Sequence, residues 1–491
     1  MERSAGILMP IFSLPGRYGI GTLGDEARAF VDFLKDAGQR WWQILPVGLT
    51  DAGNSPYASP STFAGNPLCI DPEQLAMAGL LTREELRSAE LPETARIDYE
   101  SVKALREPLL RKAFSRVSGG MIQQVQEFAE RNSWVKEYAL YRAAHDYFGC
   151  AWYDWEDEAL RRHEWYALEF WRRKLAEDVA YHTCVQYWFF RQWNALRRYA
   201  NSCGIKIIGD IPIYVSLDSA DVWAEREQFL LDEDGRPGKV AGVPPDYFSA
   251  EGQLWGNPLY NWDHMKRDGF GWWIRRVDGA MALFDVIRID HFRGLESYWA
   301  VPAGAETAME GHWEKGPGTD LMRELTTWFW DREVGSIAED LGTLTEAVHQ
   351  LRRESGLPGM KVLQFAFDNP YNAYLPHNHE KHGLCYTGTH DNNTLVGWYE
   401  AADEKERAFV KDYLGAEGTE EVRKAVIRAG QASVADLFVA QMQDYLALDA
   451  GSRINIPGLP RGNWGWRMAS GSATAELAEE IRTLTHTFAR C

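Results

Sequence analysis

LFDVIRIDHFRG, residues 283–294, is a short apolar run that ends abruptly in charge. Its β-branched Val286, Ile287 and Ile289 read as a strand covered on both faces, the form strands take in a parallel sheet. Arg288 and Asp290 stand two apart, so both point to one side of the strand at its carboxyl end. Two further runs finish in the same way. VGSIAEDLG (334–342) delivers Glu339, and LCYTGTHDNNT (384–394) delivers Asp391. These three carboxylates are far apart in the chain, so only a fold that gathers strand ends on one rim brings them together.

Runs of this kind recur: WWQILPVG (41–48), PLCID (67–71), IKIIGDIPIYV (205–215), LFDVIRID (283–290), GSIAED (335–340), MKVLQFAFD (360–368), LCYTGTHD (384–391) and DYLALD (444–449). Amphipathic stretches such as DEARAFVDFLKDAG (25–38) and TDLMRELTTWFWDRE (319–333) separate most of them. Alternating strands and helices imply a parallel sheet. Eight strands imply closure into an α/β barrel, the (β/α)8 or TIM barrel, whose active sites lie at the C-terminal strand ends. Residues 1–491 are therefore expected to form one catalytic barrel. Two insertions interrupt it. Residues 72–201 read as helix-rich and aromatic. Residues 216–282 are richer in Gly and Pro, with loops suited to wall or cover an active site. Little chain follows the eighth run, so no C-terminal β-sandwich is expected.

Composition narrows the function. Lys and Arg total 52 against 71 Asp and Glu, a formal charge of −19, and no stretch forms a dense basic patch. That argues against nucleic acid, where phosphate neutralisation supplies most of the affinity, and against an anionic membrane surface. No apolar run reaches transmembrane length, and Pro10 breaks the N-terminal run before it resembles a signal peptide. The six cysteines show neither CxxC pairing nor zinc-like spacing, which fits free thiols in a reducing cytoplasm. Hydrophobic residues make up 45%, ordinary for a globular core. Most of the 21 tryptophans should be core, and a minority could serve as platforms for sugar rings.

Each carboxylate has a chemical reading and a structural alternative. A guanidinium beside Asp290 would keep it ionised and able to attack; the same pair could be a plain ion pair. Alternation sends Glu339 and Asp340 to opposite faces, so only one belongs to a site. Glu339 shares its face with Ile337, and apolar surroundings would raise its pKa as a general acid requires; a helix N-cap is the alternative. His390 and Asp391 could hydrogen-bond adjacent hydroxyls of one sugar, or merely cap a turn. His291 and Arg293 add polar groups to the same rim. A nucleophile, a protonated acid and a third carboxylate that holds the sugar are what glycoside chemistry needs. Other signals are weak. GIGTLG (19–24) matches a dinucleotide fingerprint without a preceding strand. LDEDG (231–235) is a hairpin turn without calcium-ligand spacing. Neither HExxH nor GxSxG occurs.

Taken in order, GILMPIFSLPGRYGIGTLG, WWQILPVG, SPYASPSTFAGNP, GDIPIYV, LWGNPLYNW, VIRIDHFRG, IAEDLG, TGTHDNNT and INIPGLPRGNWGWR resemble the 4-alpha-glucanotransferases. These are the amylomaltases or disproportionating enzymes, a branch of the α-amylase-like barrel clan. The resemblance spans essentially the whole chain. It implies Asp290 as nucleophile, Glu339 as acid/base and Asp391 as the transition-state-stabilising carboxylate. It implies Arg288 and His390 as sugar-contacting partners, and Asp210 near the nucleophile. Trp255, Gly256 and Asn257 would belong to a loop arching over the cleft. Tyr57 and Ser55 would line it, as would Asp368, Asn463 and Trp464. The implied reaction is retaining transfer of α-1,4-glucan segments between maltooligosaccharides, with carboxyl groups about 5–5.5 Å apart and no metal or organic cofactor. An α-1,4-glucan hydrolase with the same triad is the first alternative. A catalytically silent glucan-binding or transporter-accessory protein is the second; it would be expected to lack a carboxylate or carry an anchor.

Overall fold

The computed structural model describes residues 2–245, 249–332, 334–342, 344–459 and 461–491. Its centre is eight parallel strands: β1 (Ser4–Leu8), β2 (Trp41–Gln43), β3 (Lys206–Ile211), β4 (Val286–Ile289), β5 (Gly335–Ala338), β6 (Gly359–Val362), β7 (Gly383–Tyr386) and β8 (Leu437–Gln441). Their order is β6-β7-β8-β1-β2-β3-β4-β5. Strands consecutive in the chain are thus neighbours in space. The two outer strands, β5 and β6, are also consecutive, and the Ala338 amide donates to the Pro358 carbonyl at 3.1 Å across the seam. The architecture is a (β/α)8 barrel.

Helices α1 (Asp25–Asp36), α2 (Ala176–Ser202), α3 (Gly271–Leu283), α4 (Gly318–Asp331) and α5 (Glu346–Glu354) lead into β2 to β6 in turn. Helix α6 (Thr419–Ala432) leads into β8, and α7 (Ala475–Thr487) follows it and packs on α1. In α1 the apolar residues Ala27, Phe30, Val31 and Leu34 are buried, the one-sided spacing that seats a helix on a sheet. The β6–β7 connection has two 3-10 turns, Leu363–Phe365 and Pro376–Asn378, and no α-helix.

The sequence expectation named eight strands, but two of them are not strands. PLCID (67–71) is a 3-10 turn, Pro67–Cys69, whose start is capped by Asn66 accepting from the Leu68 amide. Asp71 then caps the helix Pro72–Met77. Prolines at first-turn positions and Asn/Asp caps favour helical starts, and here they outweigh the apolar run. DYLALD (444–449) lies beyond the true strand β8, LFVAQ, and opens in a single helical turn, Met442–Tyr445. Two strands are missing from the expectation, β8 itself and β1, SAGIL, which pairs with β8 on one side and β2 on the other. Gly6 obscures its strand signal, yet Gly6 is required. A Cβ there would stand 2.6 Å from the Trp41 Cβ, too close for any side chain. The longer expected runs also overshoot: β3 ends at Ile211, and β6 ends at Val362 before a 3-10 turn.

The region 72–201 is helical, and its last helix, α2, is itself the barrel helix that packs against β3, α1 and α3. Eight fully buried tryptophans, among them Trp152, Trp155 and Trp223, stand in the core. Residues 216–282 contribute two strands to a four-stranded antiparallel sheet. Its order is Gln253–Pro258, Lys239–Val243, Ser297–Pro302, His312–Lys315. The latter two strands come from the β4–β5 connection, which the sequence reading did not identify as an insertion. Residues 246–248 of the expected loop, residue 333 at the end of the expected helix before β5, and Pro460 lie outside the described residues. Among the described residues no helix is long and apolar enough to cross a membrane.

Candidate active site

Strand register brings the first two carboxylates together. Ile289 of β4 pairs with Ala338 of β5, so Asp290 and Glu339 leave adjacent strands at the same level. Three successive amides then fix the rim. Asp290 N–H donates to the Ile211 carbonyl at 3.0 Å, and Phe292 N–H to the Glu339 carbonyl at 3.2 Å. Between them, His291 N–H donates to Glu339 Oε2 at 2.9 Å. Glu339 Oε1 accepts from the Leu341 amide at 3.0 Å.

Arg288 is the electrostatic centre. One guanidinium nitrogen donates to Asp210 Oδ2 at 2.6 Å and to Asp290 Oδ1 at 2.8 Å. Burial alone would lower its pKa, but Asp210 and Asp290 outweigh that and hold it firmly charged. Asp210, at the end of β3, is pushed up by burial and restrained by Arg288, with Asp290 opposing. Tyr57 donates to the same Asp210 oxygen at 2.7 Å. Burial and the Asp210 charge raise its phenol well above the usual value, so it remains a donor. Tyr57 also stacks on His390 at 4.9 Å, with Trp464 beside both rings. His390 Nε2 lies 3.3 Å from Asp391 Oδ1. A continuous chain of contacts thus runs from Asp391 through His390, Tyr57, Asp210 and Arg288 to Asp290.

Glu339 differs from its neighbours. Burial pushes its carboxyl up to about 8, Asp290 and Asp340 add to the shift, and Arg288 and the Leu341 amide oppose it. Asp340 turns the other way, as strand alternation requires. It is buried, lies 3.1 Å from the Arg352 guanidinium and accepts from the Met360 amide. A carboxylic acid still protonated near neutrality, level with an arginine-paired carboxylate on the next strand, can supply a proton to a leaving oxygen.

Asp290 and Asp391 face an open cleft of about 1630 Å³, solvent at its mouth included, and Glu339 is not among the residues that line it. Ser55, Tyr57, Asp290, His390, Asp391, Asn463 and Trp464 line it, with Trp255, Gly256 and Asn257 along the facing strand. Asn257 ties that strand down by donating to the Val215 carbonyl at 2.8 Å. Asn463 clips its own loop, accepting from the Ile456 amide and donating to the Ile456 and Leu459 carbonyls. Asp368 does not line this cleft. Its carboxylate accepts from the Asn369 and Asn372 side chains in the loop after β6, because that loop turns back on itself.

Sequence reasoning missed several contributors. Asn455 donates to Asp391 Oδ1 at 2.6 Å, and Arg453 holds the Asp391 carbonyl at 2.7 Å. The signal was an asparagine set between two isoleucines in INIPG. Tyr153, Tyr214 and Asp218 also line the cleft. Tyr153 and Asp218 come from the insertions, where no strand pattern marks direction, and Tyr214 comes from the segment just past the end of β3. Among the described residues no cluster of three or more His, Cys, Asp or Glu is arranged to hold a metal ion.

Against this geometry, a family model described as 4-alpha-glucanotransferase matches residues 9–473. The chain belongs to the 4-alpha-glucanotransferase family. A 4-alpha-glucanotransferase of Thermus thermophilus is 48% identical, covering 99% of this chain and 98% of its own length. A family member from Streptococcus pneumoniae is 44% identical, covering 100% and 98%. Amylomaltase from Streptococcus agalactiae, solved in complex with acarbose, superposes with a TM-score of 0.96 at 39% identity, covering all of both chains.

Proposed function

We propose that this 4-alpha-glucanotransferase works by a retaining double displacement on α-1,4-glucans, with Asp290, Glu339 and Asp391 as its catalytic groups. Asp290 attacks the anomeric carbon of a bound maltooligosaccharide as Glu339 protonates the departing glycosidic oxygen. A covalent glucosyl-enzyme and a shorter glucan with a new non-reducing end, its freed 4-hydroxyl, result. Glu339, now a carboxylate, takes the proton from the 4-hydroxyl of a second glucan. That oxygen attacks the anomeric carbon, and Asp290 leaves as a carboxylate. Asp391, steadied by Asn455, binds hydroxyls of the distorted ring, and Arg288 and His390 act as sugar-contacting partners.

The observation that carries this reading is the contrast between neighbours: Asp290 is paired with Arg288, whereas Glu339 is pushed up to about 8. Adjacent parallel strands lie about 4.8 Å apart, which fits the separation of about 5–5.5 Å that retaining chemistry uses. Transfer in preference to hydrolysis requires that water be kept out and the acceptor hydroxyl be placed for attack. The strand Gln253–Pro258, with Trp255 over the rim, supports that role. Ser55, Tyr57, Asp210, Gly256, Asn257, Asn463 and Trp464 are proposed to bind or frame the glucan. A cytoplasmic location belongs to the same proposal, supported by six cysteines that are all unpaired.

Incubation with maltotriose tests it. Transfer yields glucose together with chains longer than the substrate. Only shorter products would mark a hydrolase, and unchanged maltotriose a binding protein.

A further inference from the structure

His291 adopts a backbone shape that its residue type does not favour. Its φ is 48° and its ψ 46°, the left-handed region in which non-glycine residues are uncommon. The consequence is local and specific. A left-handed residue between two peptides lets successive N–H groups converge on one acceptor region. Here the convergent groups are those of His291 and Phe292, and both meet Glu339: one its carboxyl oxygen at 2.9 Å, the other its carbonyl at 3.2 Å. The imidazole is held in turn. It packs edge-on against Trp255 at 4.8 Å between ring centres. On another side it faces Gly294, where an added Cβ would come 3.1 Å from its Cδ2.

We infer that His291 is a positioning residue for the acid/base: its left-handed backbone, wedged under Trp255 and over Gly294, aims its amide at Glu339 and fixes both the direction and the acidity of that carboxyl. This rests on the reading of Glu339 as the acid/base and deepens it. The imidazole does not serve as the acid itself. Burial outweighs the Asp290 charge and lowers its pKa to about 4, so it is neutral near pH 7.

The charged and titratable groups around Glu339 are Arg288 and Asp290 from β4 and Asp340 from its own strand end. An amide donated to a carboxylate favours the charged form. Losing the His291 amide would therefore raise the Glu339 pKa and leave its side chain less well aimed.

Two substitutions separate backbone from packing. His291→Asn keeps a residue that tolerates left-handed backbone; His291→Val opposes it, because a β-branched side chain is a genuine outlier there. With maltotriose, His291→Val is expected to move the alkaline limb of the pH–kcat profile upward by about one pH unit. It should lower kcat about tenfold and leave KM within about twofold. His291→Asn should keep the wild-type limb. With α-maltotriosyl fluoride as donor, whose leaving group needs no protonation, the His291→Val deficit in the first step should largely vanish. Should His291→Val fail to fold, His291→Ala carries the same expectation at a smaller shift. A wild-type limb in the folded Val or Ala variant would overturn the inference, as would equal shifts for Asn and Val. Glu339→Gln is measured alongside. If it retains the alkaline limb, the acid assignment itself fails. If it abolishes the limb while His291→Val leaves it unmoved, only the positioning role fails.

Discussion

Glu339→Gln should make the protein more resistant to unfolding, and increasingly so as pH rises. The native carboxyl sits at about 8 against an ordinary 4.5, chiefly because burial disfavours its charge. Below pH 4.5 the group is protonated in both native and unfolded chains, and nothing is lost. As pH climbs past 4.5 the unfolded chain releases the proton first, and wild-type stability falls until pH passes about 8. The gap of about 3.5 pH units, at about 1.36 kcal/mol each, sets a ceiling near 5 kcal/mol. The carboxyl is partly exposed and screened by water, so about 2 kcal/mol is the working expectation. Glutamine never ionises and escapes this penalty. It does lose one of the two amide contacts from His291 and Leu341, but that cost is independent of pH. The quantity to measure is therefore the difference between variant and wild type at pH 5 subtracted from that at pH 9. Urea unfolding followed by tryptophan fluorescence supplies it. An offset that is the same at both pH values within about 0.5 kcal/mol would refute the claim that burial raises this carboxyl.

Other perturbations have equally definite outcomes. Asp290→Asn should reduce transfer from maltotriose by about 10⁴-fold or more while leaving glucan binding measurable by calorimetry; turnover at the wild-type rate would end its assignment as nucleophile. Tyr57→Phe removes the hydroxyl donated to Asp210 Oδ2 and leaves that buried oxygen with Arg288 alone. A fall in kcat of about tenfold is expected, equivalent to roughly 1–2 kcal/mol, and an unchanged steady-state rate would count against the Asp391-to-Asp290 contact chain. Shortening the Gln253–Pro258 strand around Gly256 should raise the share of glucose formed by hydrolysis in chromatographic product profiles, at the expense of longer chains. An unaltered partition would mean that water is excluded by other walls.

The barrel and the carboxylate rim were legible because both follow from short-range rules. VIRID alternates, so Arg288 and Asp290 had to share a face, and SIAED alternates, so Glu339 and Asp340 had to part. The failures have equally local causes. Gly6 hides β1 because a glycine chosen for close approach to Trp41 carries no strand preference. Asn66, Pro67, Asp71 and Pro72 turn an apolar run into turn and helix start. Asn455 and the His291 amide were invisible for another reason. Their function depends on where a loop returns in space, and no periodicity encodes that. Asp368 was carried in by resemblance alone, and the fold of its loop directs its carboxylate to its own asparagines.

The four-stranded sheet beside the barrel is stitched from two separate connections. The strand bearing Trp255 is linked through Lys239–Val243 to Ser297–Pro302, which continues the chain only a few residues past Asp290. Roof and nucleophile are therefore parts of one lever. Grafting a roof from a relative into this chain, to change which glucans it accepts, would have to carry the partner strands along with it, or the graft would arrive with its hinge severed.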